Sequence, residues 1–167
     1  FSQKVQQAQR LMDDMIDLEI EQVDKILAKI DSDPESVGVK YHEKSLWQSV
    51  RKAALEGRRT GLGITGLGDM LAMLGIIYGS AESISMTEDI YKNLALNSYR
   101  SSITLAEERG AFPIWDYERE VDHPFVNQIV SELDEKTQEQ YRTHGRRNIA
   151  NTTTAPAGSV SVLTQTT

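Results

Sequence analysis

The chain has 167 residues, enough for a core of its own, and its 39% hydrophobic and 26% charged content is that of an ordinary globular chain. A net charge of −7 argues against a general nucleic-acid surface, and no apolar run approaches the ~20 residues of a membrane span. Cysteine is absent, which excludes disulfides, thiolate metal sites and cysteine catalysis within these residues and fits a cytoplasmic protein.

Phe1 leads straight into an amphipathic pattern with no leader, and Thr164 to Thr167 stop within another, so the sequence reads as a piece of something larger. Val5, Ala8, Leu11, Met12, Met15, Ile16 and Leu18 recur at helical spacing, predicting a helix from about Val5 to Glu19 with that stripe in the core. Val23, Ile26, Leu27 and Ile30 continue it until Asp31-Ser32-Asp33-Pro34 breaks the pattern. Residues 31–43 read as a polar surface connection. A short helix capped by Ser45 follows, carrying Leu46, Trp47, Val50 and Leu55 and ending at Gly57.

Gly61-Leu62-Gly63-Ile64-Thr65-Gly66 matches the dinucleotide-binding pattern G-x-G-x-x-G. That pattern needs a strand before it and an acidic residue ending a second strand about 20 residues on. Here a basic helix end precedes the first glycine, and the region from Ala81 to Asp89 reads as helix. The better account is a short buried strand, Thr60 to Ile64, whose glycines let a neighbouring backbone approach closely, then a helix from about Gly66 to Leu74.

A long helix runs to about Arg109, with Ser85 to Glu88 as its best capping box and Ser80 to Ser83 an imperfect one. Ile90, Leu94, Ser98, Ser101, Ile103, Leu105 and Ala106 form its inner side, and Gly110 ends it. Phe112 to Tyr117 is an aromatic extended stretch that offers either a ligand platform or, the better reading, a cover for the core. Pro124 opens a helix with Phe125, Val126, Ile129, Val130 and Leu133 on its apolar face, and a shorter helix spans Thr137 to Arg142. His144 has no second ligand at metal spacing and reads as a loop histidine or a backbone hydrogen-bonder.

From Arg146 the chain turns β-rich, reaches Pro156 and passes through Ala157 and Gly158 to Ser159, Val160 and Ser161, where apolar periodicity resumes. Small residues admit an anion to the backbone N–H groups, serines add donors, and a helix start adds its positive dipole end. Either a phosphate cradle or a Thr-rich strand turning into a serine-capped helix fits this stretch. With two helix-separated strands, the chain reads as a helix-rich α/β unit.

Four segments together resemble the large, catalytic subunit of ribonucleotide reductases. They are Arg58 to Leu71, Leu74 to Ser80, Leu105 to Pro113, and His144 to Asn148 leading into Thr154 to Ser161. The resemblance spans nearly all of residues 1–167, which are then a single partial domain, with 31–48 and 116–140 the divergent, insert-like parts. It implies a slice of the family's ten-stranded α/β barrel, with Pro156, Ala157, Gly158, Ser159, Val160 and Ser161 binding the substrate's phosphates. Family members of the adenosylcobalamin-dependent class read Ala-Pro-Thr-Gly-Thr-Ile-Ser there, so Ala157 drops one hydroxyl and Ser159 keeps one. The implied activity is reduction of ribonucleotides to deoxyribonucleotides by thiyl-radical chemistry, for DNA synthesis and repair. Adenosylcobalamin is the implied cofactor, a thioredoxin- or glutaredoxin-type protein the reductant, and a homodimer the implied assembly. The radical cysteine and its neighbours have no counterpart in this sequence, so its share is positioning the nucleotide. The alternative is a helix-rich interaction or regulatory module without chemistry.

Overall fold

The computed structural model describes residues 1–166. Its helices are α1 (Ser2–Ser32), α2 (Val37–Gly57), α3 (Leu67–Met73), α4 (Ala81–Arg109), α5 (Tyr117–Glu120), α6 (Pro124–Ser131), α7 (Glu135–His144) and α8 (Gly158–Thr164). α1 lies between α2 and α4, while α6 and α7 pack on α4. Among the described residues no helix is long and apolar enough to cross a membrane.

The buried face of α1 is Val5, Gln9, Asp13, Ile16, Ile20, Val23 and Ile30, one stripe at helical spacing. It is rotated from the expected one: Leu11, Met15 and Leu18 are 61%, 58% and 58% exposed. Gln9 and Asp13 take the inner register because both find polar partners there, which offsets the cost of burying them.

The helix after Pro34 starts well before Ser45. The Ser36 hydroxyl accepts from the Val39 N–H, so α2 begins at Val37 and the polar connection shrinks to residues 33–36. Only Gly57 of this helix is buried. The α1–α2 pair is flanked by exposed ion pairs, Arg51 with Asp24 and Lys44 with Asp31. Gly57 is the last helical residue rather than the cap. Arg58 itself takes the left-handed cap conformation, φ 43°.

Ser80, not Ser85, caps α4, accepting from Ser83 N–H at 3.2 Å. The small residues on its inner face let it approach α1 closely: Ser101 Oγ donates to Gln6 O and Gln6 Nε2 to Asn97 Oδ1. Gly110 ends the helix as expected. Tyr99, Ile103, Val126, Ile129, Leu133 and Tyr141 form the core between α4, α6 and α7, with Trp115 and Tyr117 packed against it. The aromatic stretch therefore covers the core, and Pro124 opens α6.

α7 is longer than expected because Asp134 caps it, accepting from the backbone N–H and the hydroxyl of Thr137. Those two bonds, with Arg100 beside them, lower the Asp134 carboxyl to about 2. An Asp134→Ala variant is expected to lose about 1 kcal/mol at neutral pH, as cap removals do. The stabilisation is complete above the ordinary aspartate value and is lost as pH falls toward 2. Urea melts of both proteins at pH 7 and pH 2.5 should therefore show a smaller difference at the lower pH.

Among the described residues no regular strand forms, which corrects the expected α/β pairing. The two predicted strands do run side by side and parallel, but they meet in one isolated bridge, Leu62 with Thr152. Thr60 N–H and Leu62 N–H, two residues apart, donate to Ala150 O and Asn151 O, which are adjacent. That slip of register interrupts a continuous ladder.

Candidate functional site

The segment that leads toward the predicted phosphate loop is fastened from below. Asn148 is fully buried. Its amide donates to Asp13 Oδ1 at 2.9 Å and Arg58 O at 3.1 Å, and its carbonyl accepts from Gln9 Nε2 and Ser102 Oγ. Asp13 lies in the middle of this network, itself fully buried. Arg58 reaches it at 2.8 Å, Arg109 and Arg147 at 3.3 Å each. Burial pushes the Asp13 carboxyl up, but the Arg58 hydrogen bond and charge, the Asn148 amide and the Arg147 charge outweigh it and hold the group below its usual value. Asp13, Asp14 and Asp17 come close enough to suggest a metal group. Their oxygens are instead engaged by Arg58 and Arg109, so the cluster is a structural ion-pair network.

Arg146 and Arg147, part of a local basic cluster in the sequence, do not point at a phosphate. Arg146 is buried, paired with Glu120 and stacked over Tyr99 and Phe112 at 5.5 and 5.3 Å. Glu120 also accepts from Tyr141 and Trp115. His144 ends α7 and is exposed. Asn151 is buried, with neither side-chain polar atom hydrogen-bonded.

Above this base the chain pairs with the glycine-rich segment. Ile149 N–H donates to Gly57 O, and Thr153 N–H to Leu62 O at 3.0 Å. The expected close approach is present: a Cβ on Gly63 would lie 2.7 Å from the Thr153 carbonyl oxygen. Beyond Thr153 the chain emerges. Pro156, Gly158, Ser159 and Val160 are exposed, and Ala157 and Ser161 half-buried.

Gly158 is left-handed, φ 42°, and opens α8. Val160 N–H and Ser161 N–H both bond to Ala157 O, so the Gly158 and Ser159 N–H groups lie ahead of the first bonds of the turn. Neither serine caps the helix: the cap position is Ala157, and Ser161 Oγ donates to Gly158 O at 2.7 Å. The six residues thus form one largely exposed turn carrying N–H groups, the hydroxyl of Ser159 and no charged side chain.

A helix-rich unit with two parallel extended segments, each running into a helix through small residues, is what a slice of a larger barrel looks like. The chain belongs to the ribonucleotide reductase barrel domain family, which matches residues 1–167. It is similar to a vitamin B12-dependent ribonucleoside-diphosphate reductase of Mycobacterium tuberculosis, 34% identical over 116 residues, or 70% of this chain and 14% of that protein. A protein of the same description from Thermoplasma acidophilum is 31% identical over 116 residues, covering 70% of this chain and 13% of its own length. A ribonucleoside-diphosphate reductase large subunit of African swine fever virus is 39% identical over 66 residues, 40% of this chain and 8% of that protein. The chain therefore spans only a small part of the length of these relatives.

Proposed function

We propose that this chain is an internal segment of the catalytic α/β barrel of a ribonucleotide reductase, and that Pro156, Ala157, Gly158, Ser159, Val160 and Ser161 hold the substrate's phosphates. The observation that carries this reading is Gly158. It is an open left-handed glycine at the head of α8, beyond the carboxyl end of a segment paired in parallel with the one around Leu62. Ligands of parallel α/β sheets bind beyond the carboxyl ends of the strands, where loop and helix-start N–H groups face an anion. The outer edges of the pair are where further barrel strands add.

The similar reductases act on ribonucleoside diphosphates by name, so a diphosphate is the substrate to test first. With no cysteine in the chain, radical formation and electron supply belong to other parts of the enzyme. The contribution of this segment is to fix the nucleotide so that its ribose meets the radical at reactive distance. A thioredoxin- or glutaredoxin-type reductant and a homodimer belong to the same proposal for the whole enzyme.

The vitamin B12 dependence named for two of the relatives makes adenosylcobalamin the proposed cofactor of the whole enzyme. The residues of this segment do not fit that group. His42, His123 and His144 are exposed on three separate stretches, and the clustered carboxylates are engaged by arginines.

In the full-length reductase carrying this segment, Gly158→Val puts a β-branched residue at positive φ and reshapes the turn. The KM for cytidine diphosphate is expected to rise about tenfold or more, with a smaller change in kcat, the loss being in binding. Unchanged KM in a folded variant would remove the loop from the substrate site.

A further inference from the structure

We infer that Gly61, Gly63 and Gly66 are positioning residues for the phosphate loop, forming the seat on which both of its flanks rest. This deepens the reading of residues 156–161 given above and depends on it. The G-x-G-x-x-G run does not hold a dinucleotide in this fold. Its glycines face the chain on either side of the loop.

On the entry side, Thr153 is gripped twice. Its N–H donates to Leu62 O at 3.0 Å, and its carbonyl oxygen sits where a Cβ on Gly63 would come within 2.7 Å. A Cβ on Gly61 would stand 3.0 Å from the Thr153 methyl, Cγ2. On the exit side, Gly66 faces Thr166, with Cβ and Cγ2 at 3.4 and 3.5 Å from its own Cβ position. Thr166 is tied back to α8, its N–H donating to Ser161 O. The entry side is therefore set by contacts tighter than a Cβ tolerates, whereas Gly66 meets Thr166 at ordinary van der Waals distance and is kept glycine by its positive φ, 78°.

The two entry contacts differ in kind, which makes the idea testable. A methyl at position 63 meets a backbone oxygen, so the extended segment carrying the loop must move. A methyl at position 61 meets a side-chain methyl, which Thr153→Ser removes. Neither glycine has positive φ, so alanine brings no backbone strain at either site. Gly38, with nothing within 4 Å of its Cβ position, is the control.

The experiment is calorimetric binding of cytidine diphosphate to the full-length reductase, with a thermal melt of each variant. Gly61→Ala is expected to weaken binding about tenfold, and Gly63→Ala about tenfold to a hundredfold, because a displaced binding group loses its contacts steeply. Adding Thr153→Ser should restore Gly61→Ala to within about twofold while leaving Gly63→Ala impaired; Gly38→Ala should bind as wild type. A general loss of packing would not follow that pattern of rescue. If Gly63→Ala melts too low to measure, the Gly61→Ala and Thr153→Ser cycle decides alone. Wild-type binding in both glycine variants, alongside weakened binding in Gly158→Val, overturns the seat but keeps the loop. Wild-type binding in Gly158→Val overturns the phosphate loop itself.

Discussion

Asp13→Ala is expected to cost about 3–5 kcal/mol, the range seen when one partner of a buried ion pair is removed. The carboxylate is fully buried and is met by Arg58, Arg109 and Arg147, so its loss leaves three guanidinium groups short of their counter-charge. It also takes an acceptor from Asn148, the residue that ties the loop-bearing segment to α1. Asp13→Asn keeps the shape and should cost less. The acid limb of the stability curve separates charge from packing. Because the folded-state pKa of Asp13 is depressed, its stabilisation is complete above the ordinary aspartate value of about 4 and is lost as pH falls through the lower folded value. Asp13→Asn should flatten that limb. Urea denaturation at pH 7 and between pH 4 and 2 measures both effects; a loss below about 1 kcal/mol for Asp13→Ala would show that the network is not what holds α1 in place.

Arg146→Met is expected to cost about 3 kcal/mol or more, for the same physical reason with the signs exchanged. The Glu120 carboxylate would keep Tyr141 and Trp115 as donors but lose the Arg146 cation, and the stacking over Tyr99 and Phe112 would go as well. Burial raises the Glu120 carboxyl, while the Arg146 bond and charge now hold it below the usual carboxylate value, so in the variant the group should titrate higher. Trp115 reports this directly, since its indole N–H donates to Glu120. Combining Arg146→Met with Glu120→Gln should recover a substantial part of the stability, because no uncompensated charge remains. A double variant as unstable as the single one would argue that the packing of the arginine, not its charge, matters.

The helices that bury an apolar face were legible in the sequence. α6, with Pro124 at its start and Val126 and Ile129 inside, follows from spacing alone. α2 was only half legible because it buries almost nothing: Val37 to Lys44 carry no apolar period, and α1 beside them supplies what their own sequence does not. The buried face of α1 was misjudged because Leu11, Met15 and Leu18 outweigh Gln9 and Asp13 on any hydrophobicity count. A signal was present in the four-residue steps from Val5 to Gln9 to Asp13, which continue into Ile16 and Ile20. The close approach at the glycine run was foreseeable from composition. Its partner, Thr153, was not, since pairing across about 90 residues leaves no local trace. The caps at Ser159 and Ser161 failed because Ala157 already adopts a helical conformation, leaving no extended residue for a side chain to cap from.

The Asp13 network also constrains the order in which this chain acquires its shape. During synthesis α1 emerges first, carrying a carboxylate destined for the interior, and Arg58 follows 45 residues later. Arg147 and Asn148 lie 134 and 135 residues beyond it. Until those two leave the ribosome, the polar seam of the nascent α1 is only partly filled, by Arg58 and then Arg109. Domains form as cooperative units and closing long loops is slow, so consolidation waits for the stretch that leads into the exposed turn before α8. A nascent chain halted before Asn148 should therefore show α1 amides that exchange with solvent far faster than in the finished protein.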